Sequence, residues 1–150
     1  MSTACANAYV QPMMARYLGE LESGLAGIGL TSPLLLMMSS GGITTVETAS
    51  RQPIRLVESG PAGGAILARN IAAQNGLDRV LSFDMGGTTA KITLIDDCEP
   101  LISRSFEVAR AYRFLKGSGL PLRIPVIEMV EIGAGGGSIA GLDALRQIAV

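Results

Sequence analysis

The chain has 150 residues and a formal net charge of −1, with 48% apolar and 17% charged residues. This balance predicts one folded domain with a packed core and argues against a disordered chain. The sequence contains no histidine, which excludes a Ser-His-Asp triad, a Cys-His pair and histidine-ligated metal sites. It has no basic run typical of nucleic-acid binding and no apolar run near the roughly 20 residues of a membrane helix. We therefore expect neither nucleic acid nor a membrane as a partner.

Glycine is over-represented, at 19 of 150 residues against a usual share of about 7%. These glycines cluster, which predicts tight loops. The two cysteines, Cys5 and Cys98, are far apart in the sequence, a usage that fits a reducing compartment. The N-terminus also lacks the charged-then-apolar pattern of a secretory signal. We therefore expect a cytoplasmic protein.

Hydrophobic spacing predicts alternating helices and short strands in the first half of the chain. Apolar residues recur at three- and four-residue spacing between 14 and 28, which is typical of an amphipathic helix, and Pro12 suits its first turn. Further elements are predicted in the following order: a strand at 34–38, a short helix after a Thr44–Glu47 capping box, a strand at 54–57, and a helix from Ala62 to about Gln74. Strands that alternate with helices indicate an α/β protein.

The sharpest pattern is a predicted β-hairpin near the middle of the chain. Strands at 80–83 and 91–95 flank a tight turn at 84–89. We expect Asp84 at the lip of this hairpin, with Gly86 and Gly87 in backbone conformations that other residues resist. The second half continues with these predictions: a strand-like region at 101–113, a loop at 116–119, a strand at 124–130 interrupted by Pro125, and a final strand or hairpin from Ile139.

The predicted hairpin turn suits phosphate chemistry. Glycines let backbone N–H groups face a ligand as a nest that accepts phosphate oxygens. A carboxylate just before the nest, here Asp84, can hold Mg²⁺ through water. The plainer interpretation is an ordinary glycine turn with an exposed aspartate.

A second glycine cluster, residues 133–138, is called the glycine loop below. Such a loop has a high cost in conformational entropy unless a ligand or another backbone segment needs the room. It fits either a nucleotide cradle or a close backbone crossing in the core. It is not a dinucleotide-binding fingerprint, because the later βαβ unit is missing.

Four motifs, taken in order, resemble the hydantoinase A/5-oxoprolinase family. They are SGPAGG at 59–64, FDMGGTTAK at 83–91, KGSGLPLRIPVIEMVEIG at 116–133 and EIGAGGGSIA at 131–140. The resemblance implies a partial actin-like ATPase lobe of the ribonuclease H-like type, with a β-hairpin that grips nucleotide phosphates. ATP and Mg²⁺ are the implied cofactors.

The resemblance also implies an activity. Members of this family open cyclic amides, such as hydantoins or 5-oxoproline, at the expense of ATP, and relatives serve as ATP-using subunits of acetone- and acetophenone-type carboxylases. The implied partners are a small cyclic amide substrate and a hydantoinase B-type subunit. The implied site residues are Asp84 as the catalytic and metal-side carboxylate, with nucleotide contacts at Gly86, Gly87, Thr88, Thr89, Gly133, Gly135, Gly136, Gly137 and Ser138.

The sequence departs from the family pattern at several points. Val130 and Glu128 stand where many members have His and Asp, which puts a transition-metal site in doubt, and Lys91 replaces a frequent Asp. The family's N-terminal Asp-x-Gly-Gly-Thr hairpin is absent, and members are several times longer. We therefore expect a single partial domain, truncated at both ends relative to the family, which exposes much apolar surface when alone.

Two rival hypotheses remain beside the enzyme fragment. One is an actin-like or sugar-kinase-like lobe that binds nucleotide without turnover, and the other is a degenerate remnant without function. The missing first hairpin favours either rival for the isolated chain. The substrate cannot be identified from these residues.

Overall fold

The computed structural model describes residues 1–112, 115 and 117–149. Its contacts divide the chain into two compact units, Met1–Gly63 with Ile102–Ile127, and Gly64–Leu101 with Glu128–Val150. The expectation of a single partial domain stays a prediction. Within the described ranges, no helix is both long and apolar enough to cross a membrane.

Three α-helices and twelve short strands make up the described chain, which confirms the predicted α/β class. The helices are α1 (Ser2–Gly27), α2 (Val46–Arg51) and α3 (Ser59–Gln74). The strands are β1 (Leu35–Met37), β2 (Ile43–Thr45), β3 (Val80–Met85), β4 (Ala90–Asp96), β5 (Glu99–Pro100), β6 (Ile102–Ser103), β7 (Phe106–Val108), β8 (Leu120–Leu122), β9 (Val126–Ile127), β10 (Val130–Ile132), β11 (Gly141–Leu142) and β12 (Ile148–Ala149).

Helix α1 begins earlier than its apolar stripe predicts. Pro12 lies inside the helix and not in its first turn. Polar side chains, which hydrophobic spacing does not reveal, anchor the added turns. Ser2 Oγ donates to the Pro121 carbonyl at 2.5 Å, and Asn7 Nδ2 donates to the Arg51 carbonyl at 3.0 Å.

Two helix starts also differ from the predictions. Thr45, and not Thr44, caps α2, since its Oγ1 accepts from the Thr48 N–H at 3.3 Å. Thr44 instead pairs with Leu36 in the β1–β2 ladder. Helix α3 begins at Ser59, so the SGPAGG motif forms its first turns rather than a loop before it.

The predicted strand at 54–57 is wrong, because Pro53–Leu56 forms a 3₁₀ turn. Ser39 supplies the physical reason. Its side chain is buried, and its Oγ lies 2.6 Å from the Arg55 carbonyl and 2.5 Å from the Val57 carbonyl. The Ser39 N–H also donates to the Arg55 carbonyl at 2.8 Å. These bonds take up carbonyl groups that a strand would offer to a neighbouring strand.

The core of the first unit follows a period of two. Leu122, Ile124 and Val126 are buried and pack with Ile54, while Pro125 between them is exposed. The predicted strand at 124–130 is split into β9, which pairs with β6, and β10, which pairs with β4. Strand β8 pairs with β7 and was not predicted as a strand.

The second unit contains an antiparallel sheet in the order β10-β4-β3, with β5 also paired to β4. Residues directly opposite in an antiparallel ladder share a face. One face therefore carries Asp84, Lys91 and Glu131 side by side, together with the buried Thr93 and Ile95. The final hairpin, predicted from Ile139, is confirmed as β11 paired with β12.

The opposite face of this sheet is apolar and largely exposed, as expected for this chain alone. Its exposed members are Leu81, Phe83, Met85, Leu94, Val130 and Ile132.

Three residues of predicted elements lie outside the described residues. They are Arg113 in the predicted strand-like region, Lys116 in the predicted loop and Val150 in the predicted final strand or hairpin.

Removing the Ser39 hydroxyl should destabilise the first unit. We expect Ser39→Ala to lower the free energy of unfolding by about 1–3 kcal/mol, because the part-buried Val57 carbonyl loses its hydroxyl donor. Chemical denaturation measures this change. The matched control is Ser32→Ala at an exposed position, for which we expect a change within about 0.5 kcal/mol. Equal effects for the two variants would contradict the role assigned to Ser39.

Candidate functional site

The predicted hairpin is confirmed, with a shorter turn than expected. Strands β3 and β4 pair as far as Met85 opposite Ala90. Residues 86–89, called the hairpin turn below, connect them, and the Gly86 N–H donates to the Thr89 carbonyl at 2.9 Å. Asp84 is exposed but lies within β3, opposite Lys91, because the ladder continues past it.

The predicted backbone conformation of Gly86 and Gly87 is wrong. The glycines with positive φ are Gly29, Gly41, Gly76 and Gly117, and none of these lies in the hairpin turn. A Cβ on Gly87 would meet no atom within 4 Å. Neither a positive φ nor a lack of space at Gly87 therefore explains the glycines of the hairpin turn.

Gly135, in the glycine loop, is the position where only a glycine fits. A Cβ placed on Gly135 would lie 2.5 Å from the Gly87 carbonyl carbon and 2.6 Å from the Thr88 nitrogen. Gly135 is buried against this backbone. A close backbone crossing is thus present in the structure. The role of the same loop as a nucleotide cradle stays a prediction.

Hydrogen bonds hold the glycine loop against the hairpin turn. The Gly136 N–H donates to the Gly86 carbonyl at 2.9 Å, and the Gly137 N–H donates to the Gly87 carbonyl at 3.2 Å. Within the loop, Ser138 Oγ accepts from the Gly135 N–H at 3.0 Å. These three amide groups therefore serve structure here. Gly133 follows directly after β10 and is exposed.

The hairpin turn also holds two backbone donors, the N–H groups of Gly87 and Thr88. The N–H groups of Gly87 and Thr88 make no hydrogen bond within the described part of the chain, and both residues are exposed. Two successive amide groups in a turn can bind an anion. The carbonyl groups of Gly86 and Gly87, in contrast, accept hydrogen bonds from the glycine loop. The turn therefore holds two backbone donors suited to phosphate oxygens, next to the end of β3 that carries Asp84.

A row of three charged residues, called the charged row below, crosses the sheet beside the turn. Asp84, Lys91 and Glu131 are direct neighbours on β3, β4 and β10. Lys91 Nζ lies 3.1 Å from Glu131 Oε1 and 3.0 Å from Thr89 Oγ1. The Lys91 side chain is 15% exposed and that of Glu131 is 51% exposed. Sequence reasoning treated Lys91 only as a departure from a family pattern, and its contact with Thr89 was missed.

The residues present fit Mg²⁺ with few protein ligands. Among the described residues, no three side chains of His, Cys, Asp or Glu come together as a metal-binding group. Mg²⁺ commonly takes one or two carboxylates and completes its shell with water and substrate phosphates. The exposed carboxylate of Asp84, which lies on β3 shortly before the turn, suits that kind of site.

The whole chain, residues 1–150, matches the family model described as hydantoinase/oxoprolinase. The chain therefore belongs to this family, as the motifs predicted. It is 41% identical over 145 residues to an uncharacterized protein of Methanocaldococcus jannaschii, across 95% of this chain and 21% of that protein. It is 32% identical over 149 residues to caprolactamase subunit alpha of Pseudomonas jessenii, across 99% of this chain and 20% of that subunit.

Solved structures show the same relationship. The crystal structure of the ATP-dependent caprolactamase from Pseudomonas jessenii matches 98% of this chain with a TM-score of 0.75 and 30% identity. A nucleotide-free acetone carboxylase matches 88% of this chain with a TM-score of 0.69 and 26% identity. The chain spans about a fifth of the length of these relatives, 20% and 17% respectively.

The contact between Gly135 and Gly87 predicts a sharp difference between two neighbouring glycines. We expect Gly135→Ala to lower the free energy of unfolding by about 1–3 kcal/mol, because the new methyl group overlaps backbone atoms that cannot rotate away. Thermal and chemical denaturation measure the loss.

The matched control is Gly136→Ala. The nearest atom to a Cβ at Gly136 is the Gly86 carbonyl oxygen, at an ordinary distance of 3.8 Å. We expect this variant to unfold within about 1 kcal/mol of the unsubstituted chain. A loss at Gly136 equal to that at Gly135 would contradict the steric argument.

Proposed function

We propose that this chain provides a phosphate-binding element of an ATP-dependent enzyme that opens cyclic amides. The observation that carries the proposal is the hairpin turn, held by hydrogen bonds from the glycine loop. The glycine loop donates to the carbonyls of Gly86 and Gly87, while the N–H groups of Gly87 and Thr88 make no hydrogen bond within the described residues. Membership of the hydantoinase/oxoprolinase family supports the reaction class.

In this proposal the chain acts by positioning and charge stabilisation. The Gly87 and Thr88 N–H groups bind phosphate oxygens of ATP, and Asp84 holds Mg²⁺, which supplies neutralisation of phosphate charge when bound. Phosphoryl transfer from ATP to the ring amide oxygen would release ADP and activate the amide carbon toward water, and ring opening by water would then release inorganic phosphate. We assign the following candidates of the glycine loop to supporting the turn: Gly135, Gly136, Gly137 and Ser138. Gly133 keeps its predicted nucleotide contact.

A second candidate is an ATP-using role in a ketone carboxylase. The likeness to acetone carboxylase, at a TM-score of 0.69, supports it. Both candidates imply further subunits, because the caprolactamase relative is itself named subunit alpha. With the whole protein, ATP hydrolysis stimulated by caprolactam or a hydantoin favours the first candidate. Stimulation by acetone with bicarbonate, and not by cyclic amides, favours the second.

We also propose a cytoplasmic location. Cys5 and Cys98 are both free thiols, as expected in a reducing compartment.

Asp84→Asn should weaken Mg²⁺-dependent ATP binding by this chain. We expect about a tenfold higher Kd, because the amide cannot neutralise the metal ion. Isothermal titration with ATP plus Mg²⁺, and with ATP plus EDTA, measures the effect, and the two proteins should differ only when Mg²⁺ is present. Asp78→Asn, at an exposed carboxylate of the same unit, serves as the control. Unchanged Mg²⁺-dependent binding by Asp84→Asn contradicts the role of Asp84.

The isolated chain should turn over ATP feebly or not at all. Catalysis by positioning is sensitive to misplacements of about 1 Å, which can cost on the order of 10²-fold in rate, and we expect turnover, unlike binding, to need a second lobe. A coupled assay for ADP release measures turnover. Sustained turnover by the 150-residue chain, abolished by Asp84→Asn, would refute the expectation that a second lobe is required.

A further inference from the structure

Lys91 occupies the centre of the charged row and contacts the hairpin turn itself. It lies on β4, the strand between β3 and β10. Its Nζ lies 3.0 Å from Thr89 Oγ1, the last residue of the turn, and 3.1 Å from Glu131 Oε1. With its side chain 15% exposed, Lys91 holds these contacts from inside the unit rather than from the surface.

The contact with Thr89 has a directional consequence. An ammonium group only donates, so the Thr89 hydroxyl oxygen must accept from Lys91. A hydroxyl group has one hydrogen and two lone pairs, and the hydrogen then points away from the ammonium group. Thr89 directly follows Thr88, whose N–H makes no hydrogen bond within the described residues. The Thr89 O–H is therefore a further donor close to the N–H groups of Gly87 and Thr88.

The contact with Glu131 links this donor to the second segment of the site. Glu131 lies on β10, which runs directly into the glycine loop at Gly133. The loop contacts the turn at Gly86 and Gly87, and Lys91 joins the same two segments through Thr89 and Glu131. An ion pair of this kind, with one partner largely removed from water, fixes the position of the cation better than two exposed side chains do.

We propose that Lys91 is a positioning residue for nucleotide phosphate binding. Held by Glu131, it orients the Thr89 hydroxyl as a hydrogen-bond donor to a phosphate oxygen. Lys91 acts through Thr89 and does not itself contact the phosphate. This inference rests on the proposed function, because it assumes that the hairpin turn binds the phosphates of ATP.

A double-mutant cycle on the 150-residue chain tests the proposal, with ATP plus Mg²⁺ as the titrant and Kd as the readout. Lys91→Met and Thr89→Val should each raise Kd by about tenfold, the loss of one well-oriented hydrogen bond. The double variant should bind no more weakly than the weaker single variant, because both changes remove the same donor. Lys91→Arg and Thr89→Ser, which keep the cation and the hydroxyl, should restore most of the affinity.

Two controls separate this role from simple charge and from folding. Arg79→Met removes a cation from the far end of the same hairpin, where Arg79 Nε lies 3.7 Å from Asp96 Oδ1, and should leave Kd within about twofold because its charge is largely screened. Thermal unfolding of each variant is recorded, and Kd is measured at a temperature where all variants are folded. A Tm loss with unchanged Kd overturns the proposal, since Lys91 would then serve only stability.

The outcomes also distinguish this inference from the proposed function. If the unsubstituted chain gives no heat of binding with ATP, the proposed function fails and this inference fails with it. If the chain binds ATP and the Kd of the double variant rises by the product of the two single increases, only this inference fails. Lys91 then acts on the phosphates independently of Thr89. If Lys91→Met binds like the unsubstituted chain, this inference alone is again overturned.

Discussion

The close contact between the backbones of Gly135 and Gly87 is the constraint on which the candidate site depends. No side chain larger than hydrogen fits at Gly135, since its Cβ would lie 2.5 Å from the Gly87 carbonyl carbon. This approach brings the amides of Gly136 and Gly137 within reach of the carbonyls of the hairpin turn. The acceptors of the turn are thereby used internally. The N–H groups of Gly87 and Thr88 make no hydrogen bond within the described residues, and successive N–H groups in a turn can bind an anion.

The charged row extends this organisation into the sheet. Lys91 lies on the central strand, so carboxylates on both neighbouring strands flank it. Both carboxylates are exposed, and Glu131 bonds to the ammonium group at 3.1 Å. In the proposed function, Glu131 supports Lys91, and Asp84, next to the turn, contacts the metal ion.

Local sequence signals predicted the hairpin well and its surroundings poorly. The strands around residues 84–89 were predictable because alternating apolar residues flank a glycine pair, and both signals depend on neighbours in sequence. The contact of Gly135 with Gly87 joins residues far apart in sequence, so the pattern could only leave a ligand cradle and a backbone crossing as alternatives. The same limitation explains the wrong strand at 54–57, where the buried Ser39 captures the carbonyl groups. Long-range polar contacts leave no periodic trace.

The contact between the glycine loop and the hairpin turn also affects the register of the sheet. Its side chains alternate between the charged row and an apolar face that carries Phe83 and Val130, which are 58% and 63% exposed. Because the side-chain period of a strand is two, a slip of one residue between β3 and β4 would exchange these faces. Asp84 would then leave the face of Lys91, and apolar side chains would replace the row beside the turn. By holding residues 86 and 87 in place, the glycine loop opposes such a slip at the end of the ladder where it would begin. The same contact therefore uses the carbonyl groups of the turn and helps to keep the register that places charges beside it.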